Sequence, residues 1–161
     1  MSQSSGLGGP PGASPSSGGS DLDRAVELLA AGGHACVLCR GEEALTSELP
    51  GVAPLVGWLR QGVDLAGFSA ADKVVGRAAA LLYAHAGVRA VYAVLASEGA
   101  APILAAHGIA FRASATVPAI LNRPRTASCP MEALVAGTDD PAEATRLLLA
   151  AVPPRPPAPS A

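Results

Sequence analysis

Aromatic side chains are scarce: two Phe, two Tyr and one Trp make up 3% of the 161 residues. Cationic excess is missing too, since 11 Lys and Arg face 13 Asp and Glu for a formal charge of -2. With neither stacking platforms nor a basic stripe, nucleic-acid binding has no footprint here. Cysteines number three, an odd count that supports no disulfide framework and fits a reducing cytoplasm. No apolar run reaches the length of a bilayer-spanning helix, so no membrane partner is expected. Met1 to Ser20 is rich in Ser, Gly and Pro, with neither a basic start nor an apolar stretch, and does not read as a signal peptide. Lysine and asparagine are almost absent: Lys73 is the only Lys and Asn122 the only Asn. A composition rich in Ala, Arg, Gly and Pro disfavours both residues. A retained Lys therefore suggests a place for a compact ammonium that a guanidinium does not replace, with chance as the other reading.

What is present is apolar material, half of the residues, enough for one core built mainly of Ala, Val and Leu. One domain is expected over residues 21–152, between a low-complexity tail at 1–20 and a Pro-rich tail at 153–161. Ser20 or Asp21 is placed to cap a helix carrying Leu22, Ala25, Val26, Leu28 and Leu29 and ending at Gly32-Gly33. His34 to Arg40 and Ala44 to Leu49, separated by Gly41-Glu42, read as a β-hairpin. Pro54 to Arg60, with Trp58, reads as a short helix. Ser69 is placed to N-cap the strongest helix, with Asp72 at its third position and Gly87 at its end. A strand over Ala90 to Leu95, a helix capped by Ser97, and a strand over Ile109 to Ala115 follow. Pro118 to Pro130 is irregular. Helices are expected over Met131 to Val135 and Pro141 to Val152, the latter capped by Asp139 or Asp140. The alternation predicts an α/β fold, a mixed sheet with helices on both faces.

Four phrases stand in order: Ala71-Asp72-Lys73-Val74-Val75-Gly76-Arg77-Ala78-Ala79-Ala80, Ala96-Ser97-Glu98, Leu121-Asn122-Arg123 and Cys129-Pro130-Met131-Glu132. Together they resemble the domain-of-unknown-function family 1893, placed in the cytidine-deaminase-like fold superfamily. The resemblance spans roughly residues 21–152 and implies a three-layer α/β/α sandwich. In the deaminases of that superfamily, two helix N-termini meet at one sheet edge and hold zinc. By element order those helices would begin near Asp72 and Ser97. Zinc deamination needs H-x-E on the first helix and P-C-x-x-C on the second. Here the corresponding positions carry Asp72-Lys73 and Ser97-Glu98-Gly99, so no metal, no other cofactor and no hydrolytic deamination are expected.

The candidate ligand-binding residues are Asp72, Lys73, Ser97, Glu98, Asn122, Arg123 and Glu132, with Cys129 and Lys73 as candidate catalytic groups. Lys73 suits an anionic ligand or, desolvated, a base or Schiff-base amine; equally, it suits a salt bridge to Asp72, Glu98 or Glu132. Asp72 reads more readily as a helix-cap carboxylate, and Ser97 as a cap. Asn122 and Arg123 present the donors and acceptors that a carboxylate, phosphate or base edge takes, or they staple a loop, with Arg123 on Glu132. Cys129 precedes Pro130 at a helix start, where the dipole lowers a thiol's pKa; it is a nucleophile or a structural cysteine. Cys36-x-x-Cys39 falls on a strand, so its two thiols point to opposite faces and neither a redox pair nor half a zinc site follows. His34, His85 and His107 read as surface residues.

Three functions remain open: a module binding a small polar or anionic molecule, an enzyme using Cys129 for group or sulfur transfer, and a structural or interaction protein in which the tails and Trp58 matter. A sulfur-transfer accessory protein for formate dehydrogenase in the same superfamily suggests the second by analogy. Whether the chain forms a homo-oligomer is not readable.

Overall fold

The computed structural model describes residues 17–49, 51–120 and 130–152. Asn122, Arg123 and Cys129 lie outside these residues. Helix α1 (Ser17–Ala31) begins ahead of the expected Ser20 or Asp21 cap and ends before Gly32-Gly33. Strands β1 (Cys36–Arg40) and β2 (Glu43–Ser47) form the expected hairpin, with Arg40 opposite Glu43. Helix α2 (Ala53–Arg60) carries Pro54 in its first turn, where a missing N–H costs nothing. Then come β3 (Ser69–Val75), α3 (Arg77–Ala86), β4 (Ala90–Ser97), α4 (Ala100–Ala106), β5 (Ala110–Val117), α5 (Pro130–Leu134) and α6 (Pro141–Ala151).

The expectation for Ser69 fails, and it matters. Ser69 does not cap a helix; Ser69–Val75 is the third strand, and the helix begins only at Arg77, with Gly76 at its N-cap. Ala-rich sequence is compatible with either state, and here β3 gains partners on both edges. It runs antiparallel to β1, with Cys36 opposite Asp72, and parallel to β4, with Asp72 opposite Ala93. Burial between two strands overrides the helical preference of Ala70-Ala71, and the β-branched pair Val74-Val75 suits the pleat. The helix end was legible: Gly87, at φ 81°, is the left-handed residue that closes α3.

The five strands lie in the order β2-β1-β3-β4-β5. The β1–β2 and β1–β3 pairs are antiparallel; β3–β4 and β4–β5 are parallel. Two successive parallel crossovers in one direction place α3 and α4 on the same face. That face carries the larger core, in which Leu38, Ala70, Val91 and Ala93 of the sheet meet Leu81, Leu82 and Tyr83 of α3, Leu104 of α4 and Leu148 of α6. Trp58 is half-buried against this core. The opposite face has a small core where Ala25 and Leu29 of α1 pack on Val37, Cys39 and Ala71. Cys36 therefore belongs to one core and Cys39 to the other, as strand alternation requires. Helix α1 packs on β1, β3 and part of β4. Strand β5 is largely exposed, and Val94 on β4 is 43% exposed.

Charged side chains close the ends of helices. Asp140 caps α6, accepting from Ala142 N at 3.1 Å. Arg60 donates to the carbonyls of Leu149 and Val152 at the other end of α6, both at 2.6 Å, where a cation meets the negative end of the dipole. Among the described residues, no helix is long and apolar enough to cross a membrane.

Candidate functional site

Because Ser69–Val75 is a strand, Asp72 and Lys73 point to opposite faces of the sheet. Asp72 enters the α3 side and is buried, at 3% exposure. Tyr83, fully buried on α3, donates its hydroxyl to Asp72 Oδ2 at 2.8 Å, and Val74 N donates to Oδ1 at 3.3 Å. Cys36, opposite on β1, places its sulfur 3.5 Å from the Tyr83 hydroxyl. No cation among the described residues pairs with Asp72. Burial therefore pushes its carboxyl up to about 7, against the opposing help of the Tyr83, Val74, Lys73 and Cys36 bonds. Burial and then the Asp72 charge push the Cys36 thiol and the Tyr83 phenol up as well. The cluster is a closed buried network, and a raised thiol is a poor nucleophile.

Lys73 faces the α1 side and is exposed. Its backbone N–H is held by Ala35 O at 3.0 Å. The ion pairs among the described residues join His34 to Glu48, Arg40 to Glu43, Arg77 to Asp139, Arg112 to Asp23 and Arg146 to Glu143, and Lys73 enters none of them. It forms no bridge to Asp72, Glu98 or Glu132. Instead it lines a hollow of about 240 Å³ between α1 and the sheet. The remaining walls are Val26, Leu29, Ala30 and Gly32 from α1 and its end, and Tyr92 and Val94 from β4. At the rim, the Tyr92 hydroxyl bonds Ser114, and the Arg112 guanidinium lies 5.8 Å from the Tyr92 ring centre.

Glu132 has partners that were not expected, while its expected pairing with Arg123 lies outside the described residues. Its carboxylate accepts from Arg77 N and Ala78 N, each at 2.8 Å, and so caps the start of α3 from α5. Two charge-assisted bonds at a helix N-terminus make this a strong cap. Gly76 leaves the room: a Cβ there would stand 2.6 Å from Glu132 Oε1. Its φ of -104° suits any residue, so the glycine serves close approach rather than conformation. The Arg77 side chain completes the tie, donating to the carbonyls of Val135 and Thr138 and pairing with Asp139. Asp72, expected at the start of α3, is replaced in that role by Glu132.

Ser97 is not the cap of the next helix. It is the last residue of β4, 4% exposed, and its Oγ has no hydrogen-bond partner among the described residues. Helix α4 starts after Gly99 without a side-chain cap, and Glu98 is exposed, its N–H bonded to Val117 O at 2.8 Å. His85 and His107 are exposed, while His34 bonds Glu48 at 3.0 Å. Among the described residues, no group of three or more His, Cys, Asp and Glu could hold a metal ion.

Among the described residues, the structure thus parts three that were expected together: Asp72 in the core, Lys73 in the α1 hollow, and Glu132 at the start of α3. Tyr92 and Val94, walls of the hollow, and Tyr83, the partner of Asp72, were not singled out by the sequence. Period-two reading of Ser69–Val75 was the signal that would have found the split.

A mixed sheet with two successive parallel βαβ units and a leading hairpin defines the class as an α/β domain. The chain belongs to the domain of unknown function family DUF1893, whose model matches residues 24–151. Among solved structures it is similar to the crystal structure of a DUF1893 family protein from Thermotoga maritima, at 26% identity and a TM-score of 0.76, covering 83% of this chain and 90% of that one. No curated protein matches.

Proposed function

We propose that this domain binds a small organic anion with an apolar body, in the hollow between α1 and strands β3 and β4. The carrying observation is the Lys73 ammonium, in no ion pair among the described residues, set on the wall of a 240 Å³ hollow whose other walls are largely apolar. A cation left unneutralised in such surroundings attracts an anionic group, while Val26, Leu29, Val94 and the Tyr92 ring take the apolar remainder. The volume suits a compact carboxylate or phosphate ester rather than a dinucleotide.

The strand order β2-β1-β3-β4-β5, with α3 and α4 starting after neighbouring parallel strands, supports reading the domain as cytidine-deaminase-like. On that reading the position at the start of α3 that would serve catalysis in a deaminase is filled by the Glu132 carboxylate, and ligand binding has moved to the other face. A thermal-shift screen of aromatic and branched-chain carboxylates and phosphate esters tests the binding proposal. A hit that raises the wild-type melting temperature and is lost in Lys73→Ala supports it; hits that persist unchanged in Lys73→Ala remove the hollow from consideration.

A further inference from the structure

The sheet face that α1 leaves open continues past the Lys73 hollow onto β5, and it carries a second cation there, Arg112. Resting on the binding reading above, we infer that the site takes an elongated dicarboxylate. One carboxylate meets Lys73, the apolar body lies along Val94 and the Tyr92 ring, and the second carboxylate meets Arg112. Strand register places these groups together. Tyr92 is paired with Ala71 on one side and with Arg112 on the other. The pairs Asp72–Ala93 and Val74–Leu95 set Lys73 beside Val94. Tyr92 and Val94, two apart on β4, therefore form a floor with Lys73 at one corner and Arg112 at the opposite one. Two strand spacings across and two residues along separate the Cα atoms of these cations by about 12 Å, a span for a ligand that reaches beyond the hollow.

The Arg112 side chain is disposed for this. Its guanidinium leans back over β4, 5.8 Å from the centre of the Tyr92 ring, rather than out from the sheet edge. The Tyr92 hydroxyl is bonded to Ser114, which fixes the ring between the two cations. Arg40, Arg60 and Arg77 each hold more than one partner and are committed to the fold. Arg112 is paired, among the described residues, with Asp23 of α1 at 3.6 Å, and both side chains are more than half exposed. So long and exposed a pair contributes little. A ligand carboxylate that meets the guanidinium with both oxygens replaces that contact with a planar fork. Asp23 is then a weak internal competitor for the second carboxylate.

The test is isothermal titration of two matched probes, hydrocinnamate and its para-carboxy derivative, into the full chain. Wild type is expected to bind the dianion about fivefold more tightly than the monoanion. Arg112→Gln removes the charge and keeps an extended polar side chain, and is expected to bring the two affinities close together. Asp23→Asn frees the guanidinium and is expected to widen the preference by about twofold. Lys73→Ala is expected to weaken both probes. Equal affinities in wild type, or a preference that survives Arg112→Gln, overturn the dicarboxylate assignment while leaving the hollow as a site for single anions. A merely structural Arg112 would weaken both probes alike and leave the preference unchanged, which is the same negative result. Binding of either probe that is indifferent to Lys73→Ala, or no binding of either, overturns the reading of the hollow and this inference with it.

Discussion

Asp72 and Lys73 are neighbours in the chain and opposites in surroundings. On the α3 side of β3, five helices enclose a continuous core, and the one carboxyl admitted to it is bonded by a phenol and a backbone amide. On the α1 side, among the described residues, a single helix covers part of the sheet, leaving Val94 exposed and Lys73 lining an open hollow. A group on the covered side is coupled to stability, because leaving water costs it solvation. A group on the thin side retains its solvation, and no ion-pair partner among the described residues has claimed it.

The sharpest way to break this contrast is pH. Asp72 titrates near its ordinary range in the unfolded chain and at about 7 in the folded one. Its acidity is weakened by folding, so the unfolded chain holds fewer protons between those values. Stability is therefore greatest at low pH as far as this group is concerned, falls as pH rises through that window, and levels off above about 7. The shift corresponds to about 4 kcal/mol. Urea denaturation across this window is expected to show that decline in wild type and to lose it in Asp72→Asn, which becomes the more stable protein at the alkaline end. An equal decline in both would mean that Asp72 is hydrated rather than enclosed.

The Glu132 cap gives the next largest effect. Glu132→Ala is expected to cost about 1–2 kcal/mol by orphaning the Arg77 and Ala78 amides at the start of α3. Gly76→Ala is expected to cost about the same, because its methyl displaces the same carboxylate. The double variant should then cost little more than either single one; full additivity would show that the two residues do not share one contact. The smallest effect is predicted for Lys73→Ala, within about 0.5 kcal/mol of wild type in denaturation, since an exposed side chain outside any ion pair contributes little. A loss of several times that size would make Lys73 structural.

Most of the architecture was legible because its signals are local. Gly41 marks the hairpin, Gly87 ends α3, and Asp140 starts α6, each through a backbone or capping preference that the residue carries wherever it stands. The alternate-face placement of Cys36 and Cys39 was legible for the same reason. Ser69–Val75 was not, since its state depends on two partner strands distant in sequence, and a serine followed three residues later by an acid imitates a helix start. That single reversal carried Asp72 and Lys73 from one helix tip to two faces of a sheet. The role of Glu132 was hidden for a related reason: its partners are backbone amides 54 and 55 residues away. A carboxylate that caps another element leaves no pattern in its own neighbourhood. Tyr92 and Val94 read as ordinary strand residues, and only the partial reach of α1 makes them walls of a hollow.

Nitrogen-15 and methyl NMR mapping of a carboxylate titrated into the full chain tests the central claim most directly. The account predicts shifts clustered on Lys73, Tyr92, Val94, Val26 and Leu29, with the Arg77 and Ala78 amides undisturbed beneath Glu132. Shifts confined to those two amides and to the Ser97–Ala100 turn, with the α1 face silent, would contradict it.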